Sequence, residues 1–224
     1  MKFNKVFCLF EQSGTFKNAF EKMGFEAVDY DIQVTEHTGK STDIFKEIYV
    51  CFYHLDITLF DKISKNDLVM AFFPCTYFSD QSQLLSRGDS FGQKEWSLSR
   101  KLEYSLCQMG ERSEYYENLC MLCHIAIEKG FKLVIENPYG KANFLKQFFP
   151  IKPTVIITDR TLYGDYFKKP TQFFFINCKP SFQLERQIRL PKEKRKIVEN
   201  EHGFSRSKIS PDFAKNFITD FILE

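Results

Sequence analysis

Six apolar residues in a row, Leu68-Val69-Met70-Ala71-Phe72-Phe73, separate Asp67 from Pro74. A surface helix or a half-exposed strand would interrupt such a run with polar positions at period 3.6 or 2. This segment therefore reads as a strand buried on both faces, which is what a parallel sheet covered by helices requires. The neighbouring patterns agree with it. Residues 5–10 read as a second buried strand, 16–23 as a helix stopped by Gly24, and 26–30 as the strand that closes a βαβ unit. A short helix is expected at 43–48, leading to a strand at 49–52. The polar stretch 80–110, with Gly88 and Gly92, reads as loop-rich. An amphipathic helix comes next at 113–129, closed by Gly130. Strands are expected at 131–135, 155–158 and 172–177, a short helix at 142–148, and a last helix at 211–223 with Pro211 in its first turn. The alternation predicts a Rossmann-like α/β fold over residues 1–224 as one domain: a mainly parallel sheet with helices on both faces.

A net charge of +2 over 224 residues neither demands nor excludes nucleic acid, so any contact with it has to come from local clusters. The seven cysteines are odd in number and scattered, which points to a reducing compartment, with the cytoplasm as the expected location. No stretch has the length and apolarity of a membrane span, and the first apolar run is too short for a signal peptide. Cys120-Met121-Leu122-Cys123-His124 matches a c-type haem attachment pattern, but it falls inside the expected helix and reads as core packing. No other Cys or His pair has zinc spacing, and no metal site is expected. The basic run at 192–196 reads as a solvated turn.

In an open parallel sheet, ligands bind at the carboxyl ends of the strands, so the residues just past each strand carry the chemistry. After the first strand come Phe10, then Glu11-Gln12-Ser13-Gly14-Thr15; after the second come Asp31 and Ile32. A glycine turn followed by a strand-end acid suits a nucleoside-containing cofactor, the acid accepting ribose hydroxyl protons. Asp56-Ile57-Thr58 precedes the buried strand. That strand ends in Pro74-Cys75-Thr76-Tyr77-Phe78-Ser79, where a proline releases a cysteine fit to act as a nucleophile. The strand at 131–135 delivers Glu136-Asn137-Pro138, and a half-buried carboxyl there can serve as an acid.

Taken in order, Leu9-Phe10 with Gly14, Asp31, Asp56-Ile57-Thr58, Phe73-Pro74-Cys75 with Phe78-Ser79, and Glu136-Asn137 resemble the DNA (cytosine-5) methyltransferase family. The resemblance covers residues 5–80 well and 112–140 moderately. It implies S-adenosyl-L-methionine as cofactor, held by Phe10, Gly14, Thr15, Asp31, Ile32, Asp56, Ile57, Pro74 and Ser207. It further implies a cytosine flipped out of DNA, attacked at C6 by Cys75 and protonated at N3 by Glu136, with Ser79, Asn137 and Thr171 on the substrate side.

The chain departs from the family in the glycine loop, which carries Glu11-Gln12-Ser13, and at Ile32 and Pro138, where an aromatic residue and a valine are usual. The family's Gln-x-Arg-x-Arg segment comes after a Tyr-Gly turn. Here Tyr163-Gly164 leads instead to Lys168-Lys169-Pro170-Thr171, so Lys168 or Lys169 is expected in the arginine's place; Arg186-Gln187-Ile188-Arg189 is a rival. Residues 178–205 are too short for a separate target-recognition domain and read as a reduced substitute. The insertion at 80–110, with Arg87, Lys94, Trp96 and Arg100, is expected to act as a lid or as the DNA-contacting segment, with specificity weak or supplied by a partner subunit. Methylation of RNA cytosine, and a non-catalytic relative that binds S-adenosylmethionine or DNA as a regulatory or anti-restriction subunit, share the same residues and stand as alternatives.

Overall fold

The computed structural model of the chain describes residues 1–33, 40–182 and 208–223. Ser207, the rival segment at 186–189, the basic run at 192–196 and most of 178–205 lie outside the described residues.

Seven strands form one sheet in the order β3-β2-β1-β4-β5-β7-β6. They are β1 (Lys5–Leu9), β2 (Glu26–Asp31), β3 (Lys40–Ser41), β4 (Leu68–Ala71), β5 (Lys132–Pro138), β6 (Val155–Ile157) and β7 (Thr171–Ile176). Strands β3, β2, β1, β4 and β5 run parallel, and β7 enters antiparallel between β5 and β6. The fold is thus a mainly parallel, Rossmann-like α/β sheet.

Register explains why the central strands are apolar throughout. Val6 pairs with Leu68 and Cys8 with Met70, and these side chains join Val134 and Phe173 on one face. There they meet α1 (Thr15–Lys22) and α6 (Pro211–Phe217) through Phe16, Phe20, Phe213 and Phe217. Phe7 with Val69, and Leu9 with Ala71, point to the opposite face. They pack there with Leu133 and Ile135 under α2 (Ile44–Phe52) and α4 (Leu98–Lys129). Each fully buried Phe contributes roughly 1.5–3 kcal/mol. Buried phenylalanines pack on both faces; on the α1/α6 face the Phe173 and Phe217 rings stack with centroids 4.1 Å apart.

Two expectations are corrected. Residues 49–52 are not a strand but the end of α2. Asp43 caps that helix through the Lys46 N–H, and Ile44, Ile48 and Cys51 form a buried stripe at helical spacing. Nor is 80–110 loop-rich. It holds α3 (Asp80–Ser86), a 3-10 turn (Phe91–Gln93) and the first turns of α4, which starts fifteen residues before the expected 113 because Ser97 caps it through the Arg100 N–H. A short α5 (Phe144–Phe148) lies after β5, and α6 ends in a π-helical turn (Ile218–Ile222). Among the described residues, no helix is long and apolar enough to cross a membrane, and no cluster of side chains suits a metal ion.

Candidate active site

A cavity of about 500 Å³ opens along the carboxyl edge of the parallel strands. Strand order puts Phe10, Asp31 and Ile32 at its β2–β1 end and Pro74, Cys75, Thr76, Glu136, Arg160 and Lys169 at its β4–β5–β7 end. Asp43 and Phe45 of the α2 segment and Tyr115 of α4 also line it, the Phe45 and Tyr115 ring centroids being 5.0 Å apart. The edge collects these residues for a topological reason. Phe10, Asp31 and Cys75 sit at the ends of strands of one direction, whereas Lys169 comes just before β7, whose antiparallel course places its start at the same edge. Strand β6 also pairs antiparallel with β7 and so runs parallel to β5; Arg160, three residues past its end, arrives there too.

The entrance of the chain into α1 differs from a glycine loop in a specific way. The Glu11 carboxylate is buried and accepts the Phe16 and Lys17 N–H groups, so it satisfies the helix start that further glycines would leave open. Gly14 remains necessary. Its φ is 62°, and a Cβ on it would stand 3.1 Å from Asp29 Oδ2. Phe10 has φ 59°, a costly conformation for a bulky residue. It is held by its N–H bond to the Tyr30 carbonyl and turns the ring against Phe45 and Phe73, 5.4 and 5.2 Å away.

Burial pushes the Glu11 carboxyl up to about 7, outweighing the two N–H donors. Because the folded value lies above the ordinary value of 4.5, this group's stabilising contribution is complete below about pH 4.5 and is lost as pH rises through 7. The span amounts to about 3 kcal/mol. The unfolding free energy of the wild type minus that of Glu11→Gln, measured by denaturant titration, should fall across this window. A flat difference would exclude a buried Glu11 carboxyl that takes up a proton in the folded state.

Cys75 is half-buried, and its carbonyl accepts the Phe78 and Ser79 N–H groups at 3.0 and 3.3 Å, closing a tight turn. Burial pushes its thiol up from the ordinary value, the nearby Glu136 carboxylate adds to this, and the Lys169 ammonium pulls the other way. Removing that cation in Lys169→Met should move the pH–rate profile of Cys75 alkylation to higher pH and slow alkylation near pH 8. An unmoved profile would separate Lys169 from the thiol.

Glu136 leaves Oε1 buried without a hydrogen-bond partner. Its neighbour is Arg160, 1% exposed, whose Nη1 lies 3.9 Å from that oxygen. Arg160 pairs through Nη2 with the buried carboxylate of Asp165, lies over the Phe213 ring at 4.4 Å, and keeps its Nε unpartnered. Asp165 also accepts the N–H groups of Tyr166 and Ser210, which ties the Tyr163-Gly164 turn to the start of α6.

Of the residues expected from sequence, Phe10, Asp31, Ile32, Pro74, Cys75, Glu136 and Lys169 line the cavity. Gly14 and Thr15 lie behind the loop, at the start of α1. Asp56 and Ile57 are exposed, Asp56 Oδ1 accepting only the adjacent Ile57 N–H. Lys168 reaches outward to Asp159 at 3.8 Å. Asn137 is fully buried and spends its amide on the Phe73 carbonyl, which fastens the Cys75 turn to β5. Thr171 bonds the Lys169 carbonyl, and Ser79 caps α3. Arg87, paired with Asp89, and Lys94, Trp96 and Arg100 stand away from the cavity, Arg100 lying over the Trp96 ring at 4.2 Å. Arg160, Asp43, Phe45 and Tyr115 are among the cavity-lining residues that sequence reasoning missed. The strand-end rule would have flagged Arg160 had it been applied past residue 158.

No protein-family model matches the chain, and no curated protein matches it. Among solved structures the chain is similar to the Entamoeba histolytica methyltransferase EhMeth, at 14% identity and a TM-score of 0.36. The match covers 92% of this chain and 62% of that one, so the chain spans less than two thirds of that protein's length.

Proposed function

We propose that this protein methylates cytosine at C5 in DNA, using S-adenosyl-L-methionine and a covalent adduct at Cys75. The observation that carries the reading is the single cavity with two chemically distinct ends. One end has a strand-end carboxylate, Asp31, beside the aromatic wall of Phe10, Phe45 and Phe73. The other has a thiol, a carboxyl with an unpartnered oxygen, a guanidinium and an ammonium. A volume of about 500 Å³ falls in the range of cofactor pockets.

The first end fits a nucleoside. Asp31 would take the ribose hydroxyls and Phe10 the adenine ring. When bound, S-adenosylmethionine supplies an electrophilic methyl group. The remaining work falls to the chain. Cys75 Sγ adds to C6 of the cytosine, and Glu136 delivers a proton to N3, which makes C5 nucleophilic. Arg160 holds the Glu136 carboxyl toward the base, and the Lys169 ammonium favours the thiolate. After methylation, loss of the C5 proton to a base lets Cys75 leave. Reaching the cavity requires an unstacked base, at a cost of about a few kcal/mol. Arg87, Lys94, Arg100 and Trp96, on the α3–α4 segment, would contact the DNA backbone and a neighbouring base.

The test is incubation with labelled S-adenosylmethionine and DNA containing 5-fluorocytosine, which cannot lose its C5 substituent as a proton. A covalent protein–DNA complex in the wild type that disappears in Cys75→Ser is the expected result. Tight S-adenosylmethionine binding with no adduct would overturn the catalytic reading, and an adduct formed only on RNA would move the substrate from DNA to RNA.

A further inference from the structure

Helix α4 passes behind the Cys75 turn and grips it at one residue. Tyr77 lies two positions past Cys75, and its carbonyl accepts the Arg112 Nε–H at 3.0 Å. Its hydroxyl lies near the carboxylate of Glu111, the preceding residue of the same helix. Arg112 also donates through Nη2 to Ser86 Oγ at 2.7 Å, at the end of α3, and its guanidinium lies 5.3 Å from the Phe144 ring centroid. The Phe144 N–H in turn bonds the Phe78 carbonyl.

Arg112 is 5% exposed, and its hydrogen bonds go to a carbonyl, a hydroxyl and the Met109 thioether, none of them a carboxylate. Burying a cation among neutral acceptors is costly, and an apolar side chain would fill the same space more cheaply. What an apolar side chain cannot do is hold two separate segments at a fixed spacing through one rigid planar fork. The turn passes that constraint on, because the Cys75 carbonyl accepts both the Phe78 and the Ser79 N–H. Cys75 and Tyr77 are therefore parts of one closed unit.

We propose that Arg112 is a positioning residue which, by fixing the Tyr77 carbonyl against α4 and α3, sets the Cys75 thiol toward the cavity. It rests on the reading of Cys75 as the nucleophile. Arg112 does not line the cavity, so its loss should alter the rate of the thiol's reaction and leave binding intact.

Arg112→Met and Arg112→Lys are compared with the wild type by four readouts: thermal melting, S-adenosylmethionine affinity, formation of the 5-fluorocytosine adduct, and iodoacetamide alkylation of Cys75 followed by peptide mass. In Arg112→Met the saturating adduct rate should fall about 10- to 100-fold, the size of effect expected from a reacting atom misplaced by about 1 Å. The DNA concentration for half-maximal rate and the cofactor affinity should stay within about twofold, and the Cys75 alkylation rate should change by at least about threefold. Arg112→Lys, which can still reach one acceptor, should recover part of both rates, and it carries the test if the methionine variant does not fold. Unchanged adduct and alkylation rates overturn the proposal. So does a loss of rate that occurs only together with loss of cofactor affinity and melting temperature. If the wild type forms no adduct at all, the cytosine reading fails, while the alkylation rates still decide the role of Arg112.

Discussion

Asp165→Ala should lower the unfolding free energy by about 3–5 kcal/mol, one of the largest single effects expected in this chain. The reason is local. Arg160 and Asp165 are each 1% exposed, and they form an ion pair in which Asp165 also satisfies two backbone N–H groups. Alanine leaves a buried guanidinium whose remaining carboxylate neighbour is Glu136, 3.9 Å away, and leaves the Ser210 N–H at the start of α6 without its acceptor. The double variant Arg160→Met with Asp165→Leu should be clearly more stable than Asp165→Ala, because no unpaired charge remains. On the proposed mechanism its methyl transfer should nevertheless stay impaired, since the guanidinium beside Glu136 is gone. Denaturant unfolding of the two variants checks the claim. Equal stability of Asp165→Ala and the wild type would mean that the pair contributes nothing.

On the proposed mechanism, Glu136→Gln should cut methyl transfer by about 10²- to 10⁴-fold, the usual weight of a positioned general acid. The structure attaches an effect of opposite sign to the same substitution. Glu136 is one of the charges that push the Cys75 thiol up, so removing it should shift the thiol downward and make alkylation at neutral pH faster. A variant whose thiol alkylates faster while its methylation collapses has lost an acid rather than its fold. If methylation and alkylation decline together, Glu136 is structural.

The cavity was legible in the sequence wherever its lining residues follow strand ends. Cys75 and Glu136 end up in one cavity because β4 and β5 are adjacent and parallel, pairing Met70 with Val134 and Ala71 with Ile135. Apolar runs bounded by Pro74 and by Glu136 were enough to predict that edge. Asp31 and Phe10 came from the same rule. The helical insertion was not legible, because its first turns project past the sheet and bury no stripe; Leu98, Leu102 and Leu106 stay exposed. A pattern search for core-facing periodicity finds nothing there, although Ser97 and good helix formers specify a helix locally. The segment 49–52 failed in the opposite way, since β-branched and aromatic residues suggested a strand while the stripe of Ile44, Ile48 and Cys51 decided for a helix.

The layered α/β arrangement, and the thiol and carboxyl at its edge, were determined by the sequence alone, since each depends only on local apolar runs and on the few residues immediately beyond them. Tertiary structure decided which cations stand beside them. Lys168 and Lys169 are indistinguishable as neighbours in a chain, yet Lys169 lines the cavity and Lys168 points to Asp159. Arg160 reaches Glu136 only because β7 runs antiparallel between β5 and β6, which brings the end of β6 to the same edge. A charge acts over a few ångströms, and that spacing is set by strand order and direction rather than by position along the chain.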